Sequence, residues 1–264
     1  MIKKNLKYLL SLKKNNIVIT SVTSYDASFA KLADECGVDI ILVGDSLGEV
    51  IKGAKNTHSV TVDEICYHTK NVSKGIKQAY LISDMPKNSF STKRQALANA
   101  NKITKKGLAD MIKIESTPMQ LDIVKHLIKN KIKVCGHIGI QPQKISNKKS
   151  YRKIGTSARE TESLIRDALM LQDSGVKLIV AECIDSGCAE KIRNILKIPL
   201  IGIGSGKKCD GQIRVIYDIF NVSFNGRPGF MKDQESHKNP LKDILMCYLC
   251  LLYTSDAADE GLGV

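Results

Sequence analysis

Ile40-Ile41-Leu42-Val43-Gly44-Asp45-Ser46-Leu47-Gly48 is four β-favouring residues running straight into Gly-Asp-Ser. So short an apolar run, closed by glycine, reads as a strand buried on both faces, as in a parallel sheet. Asp45 then falls where the strand ends and the backbone turns. In α/β folds that edge of the sheet is where ligands bind. The pattern recurs in Tyr80-Leu81-Ile82-Ser83-Asp84, Met111-Ile112-Lys113-Ile114-Glu115 and Leu178-Ile179-Val180-Ala181-Glu182, and a fifth strand carries His137 near its end. One strand-end acid is ordinary. Four of them, with a histidine, read as a site built on one rim.

Outward from that stretch, strands and helices alternate along the chain. Residues 2–14 set Leu6, Leu9, Leu10 and Leu12 among lysines, an amphipathic helix laid over one end of the fold. Ile17–Thr23 reads as the first strand, and Asp26 caps a helix through Cys36. Gly48–Ser59 is a loop long enough to cover a site. Thr61 with Glu64 is a capping box opening a helix to about Ala79. Further helices are expected over about Thr92–Lys106, Met119–Asn130, Ala158–Asp173 and Ala189–Leu196, with strands at Lys133–Ile138, Pro199–Gly204 and Arg214–Phe220. Gln141–Thr156 reads as a polar excursion loop, and Asn239–Tyr248 as a last helix. About eight such alternations imply a parallel sheet closed into a (β/α)8 barrel, with an open doubly wound sheet as the other candidate. A chain of 264 residues suits one barrel of roughly 250. The expected domain is residues 1–249.

Composition narrows the function classes. The net charge is +13, from 40 Lys+Arg against 27 Asp+Glu, but the lysines are spread rather than clustered. With no Trp and 5% aromatic residues, the stacking platforms of a nucleic-acid binder are lacking. No run approaches the ~20 apolar residues of a membrane span, and the Lys-rich start lacks a secretory leader's apolar core. Of the eight cysteines, only Cys247-Tyr-Leu-Cys250 has C-x-x-C spacing. The expectation is a reduced, cytoplasmic protein with buried free thiols.

Asp45, Asp84 and Glu115 offer hard oxygen ligands from three successive strand ends, the donor set that suits Mg²⁺. Singly, each acid has an ordinary reading as a helix cap or a lysine partner; together they point to one site. Lys113 lies two residues before Glu115, on the same side of its strand, where it can pair with a substrate carboxylate. Ser46 adds a hydroxyl and an N–H beside Asp45. Glu182 stands on another strand, facing the metal group across the mouth, and suits removal of a proton from carbon. His137 reads either as part of the site or as a satisfied histidine beneath it, orienting a neighbour. Gly202-Ile203-Gly204-Ser205-Gly206-Lys207 is not a Walker A loop, because Ile201 replaces its first glycine and no Ser or Thr follows the lysine. Its glycines are expected to let backbone approach substrate.

These residues resemble the 3-methyl-2-oxobutanoate hydroxymethyltransferase (ketopantoate hydroxymethyltransferase) family. The likeness rests on Thr23-Ser24-Tyr25-Asp26, Val43-Gly44-Asp45-Ser46-Leu47-Gly48, Tyr67-His68-Thr69, Ser83-Asp84-Met85-Pro86, Lys113-Ile114-Glu115, Cys135-Gly136-His137-Ile138-Gly139, Glu182-Cys183, Ile201-Gly202-Ile203-Gly204-Ser205-Gly206 and Cys209-Asp210-Gly211-Gln212, in order along the chain. It implies a (β/α)8 barrel of the phosphoenolpyruvate mutase/isocitrate lyase kind. It also implies transfer of a hydroxymethyl group from 5,10-methylenetetrahydrofolate to 3-methyl-2-oxobutanoate through a magnesium-stabilised enolate, giving 2-dehydropantoate for pantothenate and coenzyme A synthesis. Asp45, Asp84 and Glu115 match its metal residues, Ser46 and Lys113 its keto-acid contacts, and Glu182 its base. The candidate substrate-binding set is then Asp45, Ser46, Asp84, Lys113 and His137. Partners implied are the keto acid, the folate and further copies of the chain in a homo-oligomer, often a decamer.

Two stretches depart from that pattern. Asn147–Thr156 lacks the Gly-Gly before Tyr and the Gly-Arg that many members show. Residues 250–264 read like a translated sequencing adaptor, so a non-native, loosely packed tail is expected there. The rival activity is that of a C–C lyase of the same barrel group, whose usual Lys-Lys-Cys-Gly-His loop is absent. A basic binding module on an inactive barrel is a further reading, opposed by the intact set of acids.

Overall fold

A computed structural model describes residues 2–145, 152–226 and 241–247. Eight parallel strands close into a barrel in sequence order: β1 (Ile19–Thr23), β2 (Ile40–Val43), β3 (Tyr80–Asp84), β4 (Met111–Ile114), β5 (Val134–Gly139), β6 (Leu178–Glu182), β7 (Leu200–Ile203) and β8 (Gly211–Arg214). Closure comes from β8 pairing with β1, with Ile19 opposite Gly211 and Ser21 opposite Ile213. The open-sheet alternative is thereby excluded.

Alternation along each strand sorts the side chains. Ile41, Val43, Leu81, Ile112, Ile114, Ile179 and Ala181 point outward and pack under the surrounding helices. Ile19, Ile40, Tyr80, Met111, Cys135, Leu178, Ile201 and Ile213 point inward and fill the barrel. A void of about 10 Å³ lies among these side chains beneath Lys113. The strand-end residues Asp84, Lys113, His137 and Glu182 keep the inward register, so their polar groups form the topmost layer.

The N-terminal helix α1 runs Leu6–Lys14, capped by Asn5, whose side chain accepts the Tyr8 N–H. Leu9 and Leu12 bury against Ile19, Ile40, Tyr80 and Met111, plugging the end of the barrel opposite the acids. Burial of one such leucine stabilises by about 1.5–3 kcal/mol. Helix α2 (Ala27–Glu35) is capped by Asp26 as expected. The short α3 (Leu47–Val50) occupies the start of the expected covering loop. Helix α4 (Val62–Gly75) opens with the Thr61–Glu64 capping box but stops before Ala79. The buried Asp34 carboxylate accepts the N–H groups of Lys77, Gln78 and Ala79, which pulls that backbone out of the helix.

The remaining helices are α5 (Lys93–Asn101), α6 (Leu121–Lys129), α7 (Ala158–Asp173), α8 (Ser186–Ile195) and α9 (Ile216–Ile219). The expected run to Lys106 widens into a π-turn at Lys102–Lys106. One strand expectation fails. Arg214–Phe220 reads as β-rich, but β8 lies earlier, at Gly211–Arg214, and Ile216–Ile219 is helical. Gly211 explains the shift: a Cβ there would lie 2.4 Å from the Ile19 carbonyl, so only glycine permits this pairing with β1. The Ile216 N–H then donates to Thr23 Oγ1 at 3.2 Å, turning the chain away from the sheet. Residues 241–247 are helical, in line with the expected last helix. The expected non-native tail, 250–264, lies outside the described residues, as does Cys250.

Seven free cysteines are described; five are buried, whereas Cys36 and Cys247 are exposed. No described helix is long and apolar enough to cross a membrane.

Candidate active site

A cavity of about 510 Å³ opens at the C-terminal mouth of the barrel. Asp45, Ser46, Asp84, Lys113, His137 and Glu182 all line it. Six of the seven residues expected from sequence therefore share one space. Glu115 stands just behind it, 2% exposed, against His137.

Asp84 is the hub. Its Oδ2 accepts the Asp45 N–H at 2.9 Å, and its Oδ1 lies 2.8 Å from the Lys113 ammonium. That second approach is off the line of a well-formed hydrogen bond, so Oδ1 is a buried oxygen with spare lone pairs. Burial pushes the Asp45 carboxyl well above the usual carboxylate range, and Asp84 and Glu115 add repulsion. Burial works against the Lys113 ammonium, but Asp84, Glu115 and Asp45 outweigh it and hold the charge on.

His137 bridges the two sides of the mouth. Its Nδ1 is 3.2 Å from Glu115 Oε1 and its Nε2 is 3.4 Å from Glu182 Oε2. Neither approach has good hydrogen-bond alignment, so the attraction is mainly electrostatic. Burial disfavours a charged ring, yet Glu115 and Glu182 raise its pKa to about 9. In return, His137 and Lys113 hold Glu115 below its ordinary value despite its burial.

Backbone geometry sets Glu182. The Ile140 N–H donates to its carbonyl at 2.9 Å, and a Cβ on Gly139 would lie 2.2 Å from that same oxygen. Gly139 sits at φ +93°, where glycine is at ease. Cys183, directly after Glu182, takes a left-handed φ of +52°, unusual for a residue with a side chain. Its N–H donates to the Ile203 carbonyl and its own carbonyl accepts the Ile154 N–H, which fix the turn. The Glu182 side chain stays 14% exposed at the cavity wall. Because β2 and β6 are four strands apart in a ring of eight, Glu182 and Asp45 rise from opposite walls.

Ser46 is oriented by a residue that sequence reading left without a role. The Tyr25 and Ser46 hydroxyls are 2.7 Å apart, and the Tyr25 carbonyl lies 2.7 Å from His68 Nδ1. Thr69 and Ser83 share a hydroxyl contact at 2.8 Å, next to Asp84. The Tyr67-His68-Thr69 motif thus buttresses the site from α4 and does not enter it. In the glycine stretch, Gly204 lines the cavity, in line with close backbone approach. Gly202 and Gly206 instead leave room for Cys209 and Ser186. The larger omission is Gln143, 4% exposed, on a 3₁₀ turn after β5. It joins Asp45 to Glu115, and its place in a polar loop gave no signal of that.

The donor chemistry fits one hard cation. Three buried carboxylates face one lysine and one histidine, and Asp84 Oδ1 has unused lone pairs. Asp45 and Asp84 adjoin. Glu115 is tied to His137 and to the Gln143 N–H; among the described residues, no group of three acid, histidine or cysteine side chains is set for direct metal binding. Asp45 and Asp84, joined through the Asp45 N–H, could hold such a cation, with Glu115 behind them against His137.

The family model for ketopantoate hydroxymethyltransferase matches residues 3–250. The 3-methyl-2-oxobutanoate hydroxymethyltransferase of Ruthia magnifica is 44% identical over 229 residues, covering 87% of this chain and 88% of that protein. The enzyme of the same name from Psychromonas ingrahamii is 40% identical over 249 residues, 94% of each chain. Among solved structures, an oxaloacetate acetylhydrolase bound to oxalate superposes with a TM-score of 0.60 at 13% identity, covering 98% of each chain. 2,3-Dimethylmalate lyase, a PEP mutase/isocitrate lyase superfamily member, gives 0.57 at 11% identity over 80% of each chain. At such identities the structural likeness shows the fold alone.

Proposed function

The chain belongs to the ketopantoate hydroxymethyltransferase family, and from that premise we propose how its mouth carries out the reaction. The enzyme transfers a hydroxymethyl group to 3-methyl-2-oxobutanoate, giving 2-dehydropantoate for pantothenate synthesis. The one-carbon donor is 5,10-methylenetetrahydrofolate. Asp45 and Asp84 would hold Mg²⁺, with Glu115 beside them. Bound there, Mg²⁺ supplies Lewis-acid polarisation of the substrate's keto and carboxylate oxygens.

The chain's own residues do the rest. Lys113 and Ser46 orient the keto acid, with Tyr25 fixing the Ser46 hydroxyl. Glu182 takes the C3 proton, which the neighbouring carbonyl acidifies. Water takes the folate's methylene carbon as formaldehyde, breaking both of its C–N bonds and leaving tetrahydrofolate; C3 bonds to that carbon, and the alkoxide formed takes up a proton to become the product hydroxyl. His137, between Glu115 and Glu182, keeps the two carboxylates apart and steadies the base. The observation that most supports these roles is one cavity lined by Glu182 on one wall and the Asp45–Asp84 pair on the other.

Residues 1–249 form the catalytic domain in this reading, and 250–264 a non-native tail. Its setting is the cytoplasm, in keeping with the unpaired cysteines. It works as a homo-oligomer, a decamer by family resemblance. The lyase alternative rests on fold neighbours at 13% identity or less, against named relatives at up to 44%. The test is mass spectrometry of the purified enzyme with the keto acid, 5,10-methylenetetrahydrofolate and Mg²⁺, in parallel with oxaloacetate and 2,3-dimethylmalate. Metal-dependent 2-dehydropantoate is expected. Cleavage of the lyase substrates without it would overturn the assignment.

A further inference from the structure

Gln143 is the only described residue whose hydrogen bonds join Asp45 to Glu115. Its side-chain amide donates to Asp45 Oδ2 at 2.8 Å and to the Met85 carbonyl at 3.0 Å. Its main-chain N–H donates to Glu115 Oε2 at 3.1 Å. One residue therefore holds an oxygen of each acid and the backbone next to Asp84. Both amide hydrogens are used, and on acceptors that no rotation of the amide would satisfy the other way round.

The turn that carries Gln143 is itself held. Its Pro142 carbonyl lies 3.3 Å from His58 Nε2, and His58 is within 3.2 Å of the Lys87 ammonium. Loops after β2, β3 and β5 thus meet at this turn. Asp45 Oδ2 is committed to Gln143, which leaves the other oxygen of this cavity-lining acid unclaimed by that amide. Glu115 is held by the Gln143 N–H on one oxygen and faces His137 with the other, which keeps it out of the Asp45–Asp84 pair.

We propose that Gln143 is the positioning residue of the cation site: its amide holds one Asp45 oxygen and leaves the other to the cation while its N–H holds Glu115 in an outer position. This rests on the reading of Asp45 and Asp84 as Mg²⁺ ligands. A neutral donor is what the role needs, because a carboxylate would add charge to a crowded cluster and a lysine would compete with the cation. Outer groups of this kind typically change metal affinity by about 10–100-fold when removed.

The test is Mg²⁺ binding to the purified full chain by isothermal titration, without substrate, for the wild type, Gln143→Met and Gln143→Asn. Met keeps the volume and removes both donors. Asn keeps the amide but shortens its reach by one carbon. The expected result is Mg²⁺ affinity about 10–100-fold weaker for Met and weaker in the same direction for Asn. At saturating Mg²⁺, turnover should recover far more than it does at the wild-type half-saturating concentration. Either folded variant binding Mg²⁺ as the wild type does would overturn the proposal, and so would two variants that fail to fold, since Gln143 would then be a folding residue. A folded wild type that does not bind Mg²⁺ would instead overturn the ligand reading beneath it.

Discussion

The two ends of the barrel treat acidic side chains in opposite ways. At the α1 end, Asp39 receives the Lys4 ammonium at 2.8 Å, the Tyr8 hydroxyl, and both the N–H and hydroxyl of Thr20. Asp210 there receives Lys13, Arg193 and the Leu200 N–H. Each acid has donors enough, and the layer inside them is apolar. At the mouth, Asp45, Asp84, Glu115 and Glu182 share one lysine and one histidine, and buried lone pairs are left over. Crowded, under-paired carboxylates destabilise a fold. The apolar floor supplies the stability that lets the mouth carry them, and the surplus negative charge is what a cation and a proton would relieve.

That contrast can be broken by substitution. Glu182→Gln should give the largest effect, a fall in turnover of about 10²–10⁴-fold, with a thermal midpoint close to that of the wild type. Steady-state kinetics beside calorimetry would check it, and an active variant would remove Glu182 as the base. Lys113→Met comes next. It leaves Asp84 buried without its cation, at a cost of about 3–5 kcal/mol, read from urea unfolding. Saturating Mg²⁺ should return part of that loss, about 2.7 kcal/mol at a hundredfold excess over Kd.

At the floor the same measurements should part company. Leu9→Ala should cost about 2–5 kcal/mol, leave turnover per folded molecule unchanged and gain nothing extra from Mg²⁺. An effect on turnover would show the two ends to be coupled. Asp39→Asn should cost less, about 1.5–3 kcal/mol. Burial opposes the Asp39 charge, but Lys4 and Thr20 outweigh it and hold the carboxyl below its ordinary range. A lowered folded pKa stabilises above the unfolded value of about 3.9 and is lost as pH falls through the folded value. The gap between wild type and Asp39→Asn should therefore hold from neutral pH to about 4 and close below it, by urea unfolding across that range.

The strands were legible because an inward strand-end acid repeats at a spacing that only a βα alternation gives. Asp84 and Glu182 share one cavity for that reason, whereas Asp45, two residues past β2 and out of the inward register of Ile40 and Leu42, reaches it from the turn; Glu115 follows from Lys113 two residues earlier. Where the reading slipped, tertiary contacts override local pattern. Residues 214–220 have strand composition, but Gly211 has the only backbone that fits against Ile19. Helix α4 ends early because Asp34, more than 40 positions away, captures its next amides. Gln143 was invisible for a similar reason. Its three partners, Asp45, Met85 and Glu115, lie 98, 58 and 28 positions off, and no periodicity in a polar loop encodes such reach. Tyr25 likewise reads as a strand-end aromatic until its hydroxyl meets Ser46.

Proton exchange at C3 of 3-methyl-2-oxobutanoate tests the central claim most directly, because it needs no folate and isolates the step given to the mouth. The purified chain would be followed by NMR in D₂O, with Mg²⁺ and with the metal chelated. The account predicts deuterium entering C3 only when Mg²⁺ is present. No exchange from a folded protein shown to bind Mg²⁺ would contradict it.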